Sequence, residues 1–583
     1  MALRPDLPVQ QDSPDATVPA SPTALASWLA TLPAGGEGLR GLLDGLKALN
    51  RRLLPPQERA ALLAVLQPAV RERLDLDQHR VRGQRFPLPA RSRQRFEVDQ
   101  ALREESAFGH LQIAVDLAAT TPGDEGIAQA LTRALRYYGE YLLRTTQLYT
   151  PPPERFWHNV HAAYALAEQT GQESVAADGG APVDQYKRIL LFDTGHTHGL
   201  LRNDAERVYE LLAVWALRTE LDTEAPAPSR YAFGIDLAQA QPPRRLQLVP
   251  RKAETALRVF TVDGAIAAAE RLQRIRGPAD ATGTVSPAGL TRLLGNWRQE
   301  TLRRSTRRRR EQRVDVEVTL GMIRDRLEGR ADTGDGGDQG AGRAGAASGL
   351  PVWKQADEMR DPYAGFVSHP LRAGQGQMAT RRDDVWSRSV ERKSDAYFRG
   401  RSAVEAAGLE PAVRNPHQAW RLLDISPNGF GLEWVGRGNS NATVGELLGL
   451  AVRRHDQVRW RLGVIRWLRF TGPTRFVLGA QVLALEARAG GVTRPARSGV
   501  HDPEEPALLI GADPADDDTT EESAILLPAA MFAAGDELEL RRDDQDVRIA
   551  LGERREETGS FALFEFSIRP RETADEIPEW EIL

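Results

Sequence analysis

Seven arginines fall within residues 303–313 (Arg303, Arg304, Arg307, Arg308, Arg309, Arg310 and Arg313), and the chain then alternates as Val314, Asp315, Val316, Glu317, Val318. This pattern is a cationic loop opening into a half-buried strand, which puts guanidinium forks on a rigid mount. Further along, the stretch from Asp424 through Ser426 to Gly429 lies between two more strand-like runs, Trp420–Asp424 and Phe430–Trp434. Pro427 and Gly429 stand where a chain reversal needs them.

The 583 residues are too many for one hydrophobic core, so several domains are expected. Lys and Arg number 76 against 81 Asp and Glu, a formal net charge of −5, so attraction to a polyanion must come from a local cluster. The arginine run is such a cluster. There is no cysteine, which removes disulfides, thiolate zinc sites and cysteine nucleophiles and fits a cytoplasmic protein. The amino end lacks an apolar core of the secretory kind, and nowhere do about 18 apolar residues run together, so no membrane span is expected.

Residues 1–22, rich in Pro, Asp and Gln, are expected to be a disordered tail. From 23 to 225 apolar residues recur at helical spacing, as in Leu39, Leu42, Leu43, Leu46 and Leu49, and again in Ile127, Leu131, Leu135, Tyr138 and Leu142 before Pro151–Pro153. Phe156, Trp157, His161 and Tyr164 beyond the triple proline are read as core packing in a helix hairpin. Asp193, His196 and His198 are of metal-ligating types, but they occupy a glycine-containing break with no third firm ligand beside them, and are read as a helix-connecting loop. Residues 226–300 are a connector with a strand and helices. A short helix at Met322–Leu327 opens an insertion over 321–418. Its Gly-, Ala- and Asp-rich part, 331–350, is expected to be a flexible linker, and 351–418 has no assignable structure.

Short strands then recur at Trp420–Asp424, Phe430–Trp434, Val444–Leu450, Trp460–Trp467 and Phe476–Leu485, as a small antiparallel barrel requires. Residues 301–320 and 419–490 are assigned to it. An acidic linker is expected over 491–522 and a small terminal β-module over 523–583. The fold class is therefore α+β multidomain, with a helical amino-terminal domain, a split barrel and a terminal β-module.

Arg309 and Arg313 satisfy an Arg-x-x-x-Arg spacing directly before the strand, and Asp424, Ser426 and Gly429 satisfy Asp-x-Ser-x-x-Gly. In these residues the chain resembles the PilZ family, bacterial receptors of the second messenger cyclic di-GMP. The resemblance implies a barrel with the first motif on the loop that enters it and the second on a strand turn beside it, both touching the ligand. It implies that Arg309 and Arg313 grip guanine edges and phosphates, that Asp424 and Ser426 complete the purine contacts, and that Gly429 permits the tight turn. Arg308, directly before the motif, occupies the place that the family associates with a stacked dimer of the nucleotide. The helical half, with its proline-aromatic turn at Tyr149–Trp157, also looks like that of large PilZ-containing proteins of proteobacteria.

Chemistry supports the same ligand. Cyclic di-GMP offers two phosphates and two guanines, and guanine O6 and N7 match a guanidinium fork. The long insertion between the motifs departs from the family pattern, although loop-closure entropy grows slowly enough with length to allow it. A second pair, Arg388 and Arg392, has the same spacing and lies nearer Asp424, but no alternating strand follows it, so Arg309 and Arg313 are preferred. The chain is thus expected to be a cytoplasmic cyclic di-GMP receptor that passes the signal to an unidentified protein partner, with no metal and no other cofactor. The alternative is a PilZ-like interaction scaffold that does not bind the nucleotide. DNA or RNA binding through the arginine run is disfavoured, since an isolated charge run is usually a solvated face, and phosphate binding of that kind ignores base identity. An enzyme is disfavoured too: there is no Gly-rich phosphate loop with its Lys, no Ser/His/Asp set, and neither the GGDEF nor the EAL signature of the enzymes that make or destroy this nucleotide.

Overall fold

A computed structural model describes residues 3–569 except 13–17, 34, 82–85, 224–230, 250–255, 276–284, 299–307, 330–409, 412–419, 427, 437–438, 455–456, 496–502, 512–523 and 543–544. The described residues form two compact units, one from those up to Arg304 together with Trp467–Leu478, the other from those within Ser305–Gly365, Lys393–Arg466 and Gly479–Leu583. The linker expected at 331–350, and the pair Arg388 and Arg392, lie outside the described residues.

The first unit is helical as the periodicity predicts. Its helices are α1 (Pro22–Thr31), α2 (Gly36–Arg51), α3 (Pro56–Val81), α4 (Ala90–Thr120), α5 (Gly126–Gln147), α6 (Glu154–Gln169), α7 (Pro182–Thr194) and α8 (Arg202–Trp215). In α2 the predicted stripe of Leu39, Leu42, Leu43, Leu46 and Leu49 is buried along one face. After α5 the backbone turns at Tyr149, whose φ of 55° is left-handed, and Pro151–Pro153 cannot continue the helix. Phe156, Trp157, His161 and Tyr164 of α6 are buried, as expected for core packing. The Tyr164 and Tyr186 rings stack at 4.1 Å, and the His161 imidazole lies 2.7 Å from the Tyr186 hydroxyl and 2.8 Å from the Gln241 carbonyl oxygen.

The connector holds a small antiparallel sheet of β1 (Glu220–Asp222), β2 (Ala232–Asp236), β3 (Arg244–Arg245) and β4 (Leu257–Thr261) in the order β1-β4-β2-β3, followed by α9 (Asp263–Ile275) and α10 (Pro287–Trp297). Helix α10 explains the histidine-containing segment. Arg292, Asn296 and Trp297 donate to the carbonyls of Gly199 (2.9 Å), Gly195 (2.6 Å) and Leu191 (3.2 Å), so this break is a helix-connecting segment tied down by side chains of α10. Among the described residues no group of three or more His, Cys, Asp or Glu is placed to hold a metal ion.

The expectation of a disordered tail needs correction for the part that is described. The Asp6 N–H donates to Asn159 Oδ1 at 2.7 Å, Asn159 Nδ2 donates back to the Asp6 carbonyl at 3.1 Å, and Gln11 forms a parallel bridge with Arg52. A two-way amide clamp satisfies backbone groups that a polar composition suggested would stay with water.

In the second unit the strands are β5 (Arg308–Arg313) and β6 (Val316–Val318), then helix α11 (Leu320–Leu327), then β7 (Glu410–Pro411), β8 (Trp420–Ser426), β9 (Gly429–Trp434), β10 (Leu447–Arg454), β11 (Gln457–Phe470) and β12 (Phe476–Ala484). They form a curled antiparallel sheet in the order β5-β8-β9-β12-β11-β10-β6, with β7 beside β10. Its two edge strands are consecutive in the chain. The Val314 N–H donates to the Trp420 carbonyl at 3.2 Å on one side, and the Asp315 carbonyl accepts from the Ala451 N–H at 3.0 Å on the other. The curl is therefore joined through covalent bonds across two residues, where a regular barrel would use a ladder. The strand expected to be half-buried is buried on both faces, Asp315 and Glu317 included. Glu317 is met there by Arg326 of α11 at 3.0 Å.

The terminal module is a closed six-stranded barrel of β13 (Arg488–Thr493), β14 (Glu505–Ile510), β15 (Ala524–Pro528), β16 (Glu537–Arg542), β17 (Gln545–Glu557) and β18 (Phe561–Ile568), in the order β13-β14-β15-β18-β17-β16. The barrel draws β14 and the second half of β13 from the stretch read as a linker, and the first half of β13 from the end of the stretch assigned to the split barrel. Closure demands them, because β13 pairs with both β14 and β16. Sheet and barrel share one core: Leu320 and Ile323 of α11 pack with Leu447, Leu462 and Val464 of the sheet and with Leu508, Leu526 and Phe561 of the barrel.

Ile323 is fully buried at this junction, so Ile323→Ala is expected to cost about 2–5 kcal/mol in chemical denaturation, and a loss below about 1 kcal/mol would contradict the shared core. In the first unit burial lowers the His161 imidazole from 6.5 to about 4 and that of His110 to about 3. Both stay neutral in the fold while the unfolded chain takes up protons below its own value, so stability is full above 6.5 and is lost as pH falls toward 4. Melting temperature against pH should show that fall, and His161→Gln should flatten it; equal slopes for both proteins would refute the assignment.

Candidate functional site

Of the arginines expected on a loop, Arg308, Arg309, Arg310 and Arg313 lie on strand β5, because β8 offers them a ladder, and Arg303, Arg304 and Arg307 lie outside the described residues. Arg308 stands opposite Ile425, Arg309 opposite Asp424, Gln312 opposite Leu422 and Arg313 opposite Arg421. Arg309 and Asp424, the first residues of the two motifs, are therefore direct cross-strand neighbours in spite of the long insertion between them. Arg313 lies toward the other end of the ladder, where Arg421 meets Glu433 at 3.4 Å.

Neither ladder is regular at this point. The β5–β8 register shifts between Arg309 and Gln312, and β8 shifts against β9 where Leu422 to Asp424 faces only Leu432 to Gly431. Leu423 is the extra residue, and a bulge of this kind bends its strand and re-aims the neighbouring side chain. Gly431 leaves room for the result: a Cβ there would lie 3.0 Å from both Asp424 carboxylate oxygens.

Below the bulge, Trp420 and Trp434 pair across the strands with ring centroids 5.0 Å apart and fix the base of the hairpin. At its tip Ser426 Oγ donates to the Gly429 carbonyl at 3.0 Å and the Asn428 carbonyl accepts from the Val482 N–H at 3.0 Å. Gly429 was expected for its turn geometry, yet its φ is not left-handed. Glycine is needed because a Cβ would come within 2.7 Å of the Ala480 carbonyl oxygen on β12. The sequence marks Phe476–Leu485 as a strand but carries no sign that Ala480–Val482 supports the turn, since strand pairing is not encoded in alternation.

Arginine is also abundant in a cavity of about 630 Å³ in the first unit. Its five arginines are matched by five carboxylates, and Arg136 sits 3.3 Å from Glu140, so it presents no comparable excess of positive charge. No described helix is long and apolar enough to cross a membrane.

Comparison with known proteins gives three consecutive family matches. Residues 23–227 match the N-terminal domain of the cyclic-di-GMP receptor FimW, 361–489 its middle PilZ domain, and 491–568 the FimW C-terminal β-barrel domain. The middle match contains Asp424, Ser426 and Gly429, and also Arg388 and Arg392, whereas Arg308, Arg309 and Arg313 precede it. Among curated proteins, the cyclic-di-GMP receptor FimW of Pseudomonas aeruginosa is 25% identical over 603 residues, covering 99% of this chain and 95% of that protein. No solved structure matches. With the FimW-type domains following one another in order and a PilZ domain in the middle, the chain belongs to the PilZ-domain proteins of the FimW family.

Proposed function

We propose that this chain is a cyclic di-GMP receptor whose site is built from Arg308, Arg309 and Arg313 on β5 and from Asp424, Ser426 and Gly429 on the β8–β9 hairpin. The observation that carries the reading is the register, which sets Arg309 opposite Asp424. The name of the Pseudomonas aeruginosa relative, a cyclic-di-GMP receptor, supports the same ligand. Arg309 and Arg313 bind guanine edges and phosphates, Asp424 accepts from guanine N–H groups, and Ser426 and Gly429 hold the turn that brings the ligand against the backbone. Arg308 extends the cationic row and suits a second, stacked nucleotide. The protein is a binding protein with no catalytic role, acts in the cytoplasm, and hands the bound state to a protein partner. No other cofactor and no metal enter this scheme.

Calorimetric titration of cyclic di-GMP, with cyclic di-AMP as the control, tests the site. Removing either Arg309 or Arg313 should cost about 1–3 kcal/mol. The double variant Arg309→Ala/Arg313→Ala should weaken binding by roughly a thousandfold, about 4 kcal/mol if the losses add. Arg388→Ala/Arg392→Ala should bind within about threefold of wild type; the reverse pattern would move the site to that pair, and no wild-type binding would sink the receptor reading. Gly429→Ala is expected to lower stability by about 1–3 kcal/mol through overpacking against Ala480 and to weaken the nucleotide as the turn shifts. A Gly429→Ala protein with unchanged denaturation midpoint and affinity would refute the close approach.

A further inference from the structure

The nucleotide turn rests on β12, and β12 is in turn tied to the terminal barrel through one buried arginine. Arg466 on β11 is 4% exposed. Its Nε donates to Gln481 Oε1 at 2.8 Å and its Nη1 to Glu556 Oε1 of the barrel at 2.6 Å. Gln481 stands between Ala480, whose carbonyl is pressed against Gly429, and Val482, whose N–H is held by Asn428. Its own carbonyl oxygen would lie 3.0 Å from a Cβ at Gly463, where the Phe430 ring also packs. Of the three residues under the turn, Arg466 thus holds the middle one, Gln481.

Two features of the barrel point the same way. Glu556 lies at an irregularity of β17, where the register with β18 shifts between Arg554 and Glu556. Such a bulge re-aims a side chain, and this one delivers a carboxylate to an arginine of the neighbouring sheet. A second tie runs alongside, from Ser560 Oγ to Glu446 Oε2 at 2.8 Å, just before β10. A buried guanidinium without its carboxylate is costly, so Arg466 holds its place only while Glu556 is present.

We propose that Arg466 is a positioning residue through which the terminal barrel sets the Ser426–Gly429 turn, so that nucleotide affinity depends on Glu556, a residue remote from the ligand in sequence and on another domain. This rests on the receptor reading for its ligand part only. The geometric part is independent of any ligand.

The test uses the full chain with Glu556→Gln, nearly isosteric, and Gln481→Ala, which frees the turn while leaving the Arg466–Glu556 pair in place. Hydrogen exchange without ligand should rise about tenfold in peptides covering 476–484 and 426–431, while peptides covering β15 keep wild-type protection. Cyclic di-GMP titration should weaken by about fivefold in both variants. Unchanged exchange in the two peptides for both variants would overturn the proposal, as would loosening spread evenly through the barrel, which marks a purely structural ion pair. Unchanged affinity where the wild type binds would overturn it as well. If the wild type does not bind the nucleotide, the receptor reading fails and the exchange result alone decides the role of Arg466.

Discussion

The second unit depends on the chain crossing between the two edges of its sheet at Val314–Asp315. A backbone has one donor and one acceptor per residue, and here adjacent residues spend them on opposite sides, Val314 toward Trp420 and Asp315 toward Ala451. The cationic strand and the strand that packs against α11 are therefore one continuous piece of chain with two different partners. This explains why an arginine-rich segment, which would otherwise stay solvated, is drawn into a ladder. The three valines that follow are buried and anchor it.

Much of this architecture was legible in the sequence. Leucine spacing revealed α2, the aromatic residues after the triple proline revealed α6, and alternation revealed β8, β9 and β12. What escaped has physical reasons. The amino-terminal arm is held by the Asn159 side chain and by a bridge from Gln11 to Arg52, and a composition rule cannot see partners far along the chain. Strands β13 and β14 lie in an acidic stretch, and only barrel closure shows that Gly490–Val492 and Leu508–Ile510 are wanted as strands. For the proposed site, the motifs supplied the candidate residues and the ladder sets Arg309 opposite Asp424. The bulge at Leu423 and the support of Gly429 by Ala480 are tertiary facts that no spacing rule encodes.

The join between sheet and barrel is of the kind found inside a domain. Apolar residues from three pieces of chain meet in one cluster, with α11 filling the gap between the β-layers. Burial of this sort is non-directional and fixes two bodies together firmly, whereas the Arg466–Glu556 and Ser560–Glu446 pairs specify the angle at which they meet. The terminal barrel is part of the foundation of the sheet, and its sequence is constrained accordingly.

The insertion leaves the second unit after α11 and returns where β7 pairs with β10, so both of its ends are anchored within the same sheet-and-barrel body. Lengthening a loop between fixed ends costs only about 0.6 kcal/mol for each doubling. The middle family match begins at residue 361, so only the part of the insertion before it is a place where added length comes at that small cost, and a reporter grafted there leaves the matched domain whole.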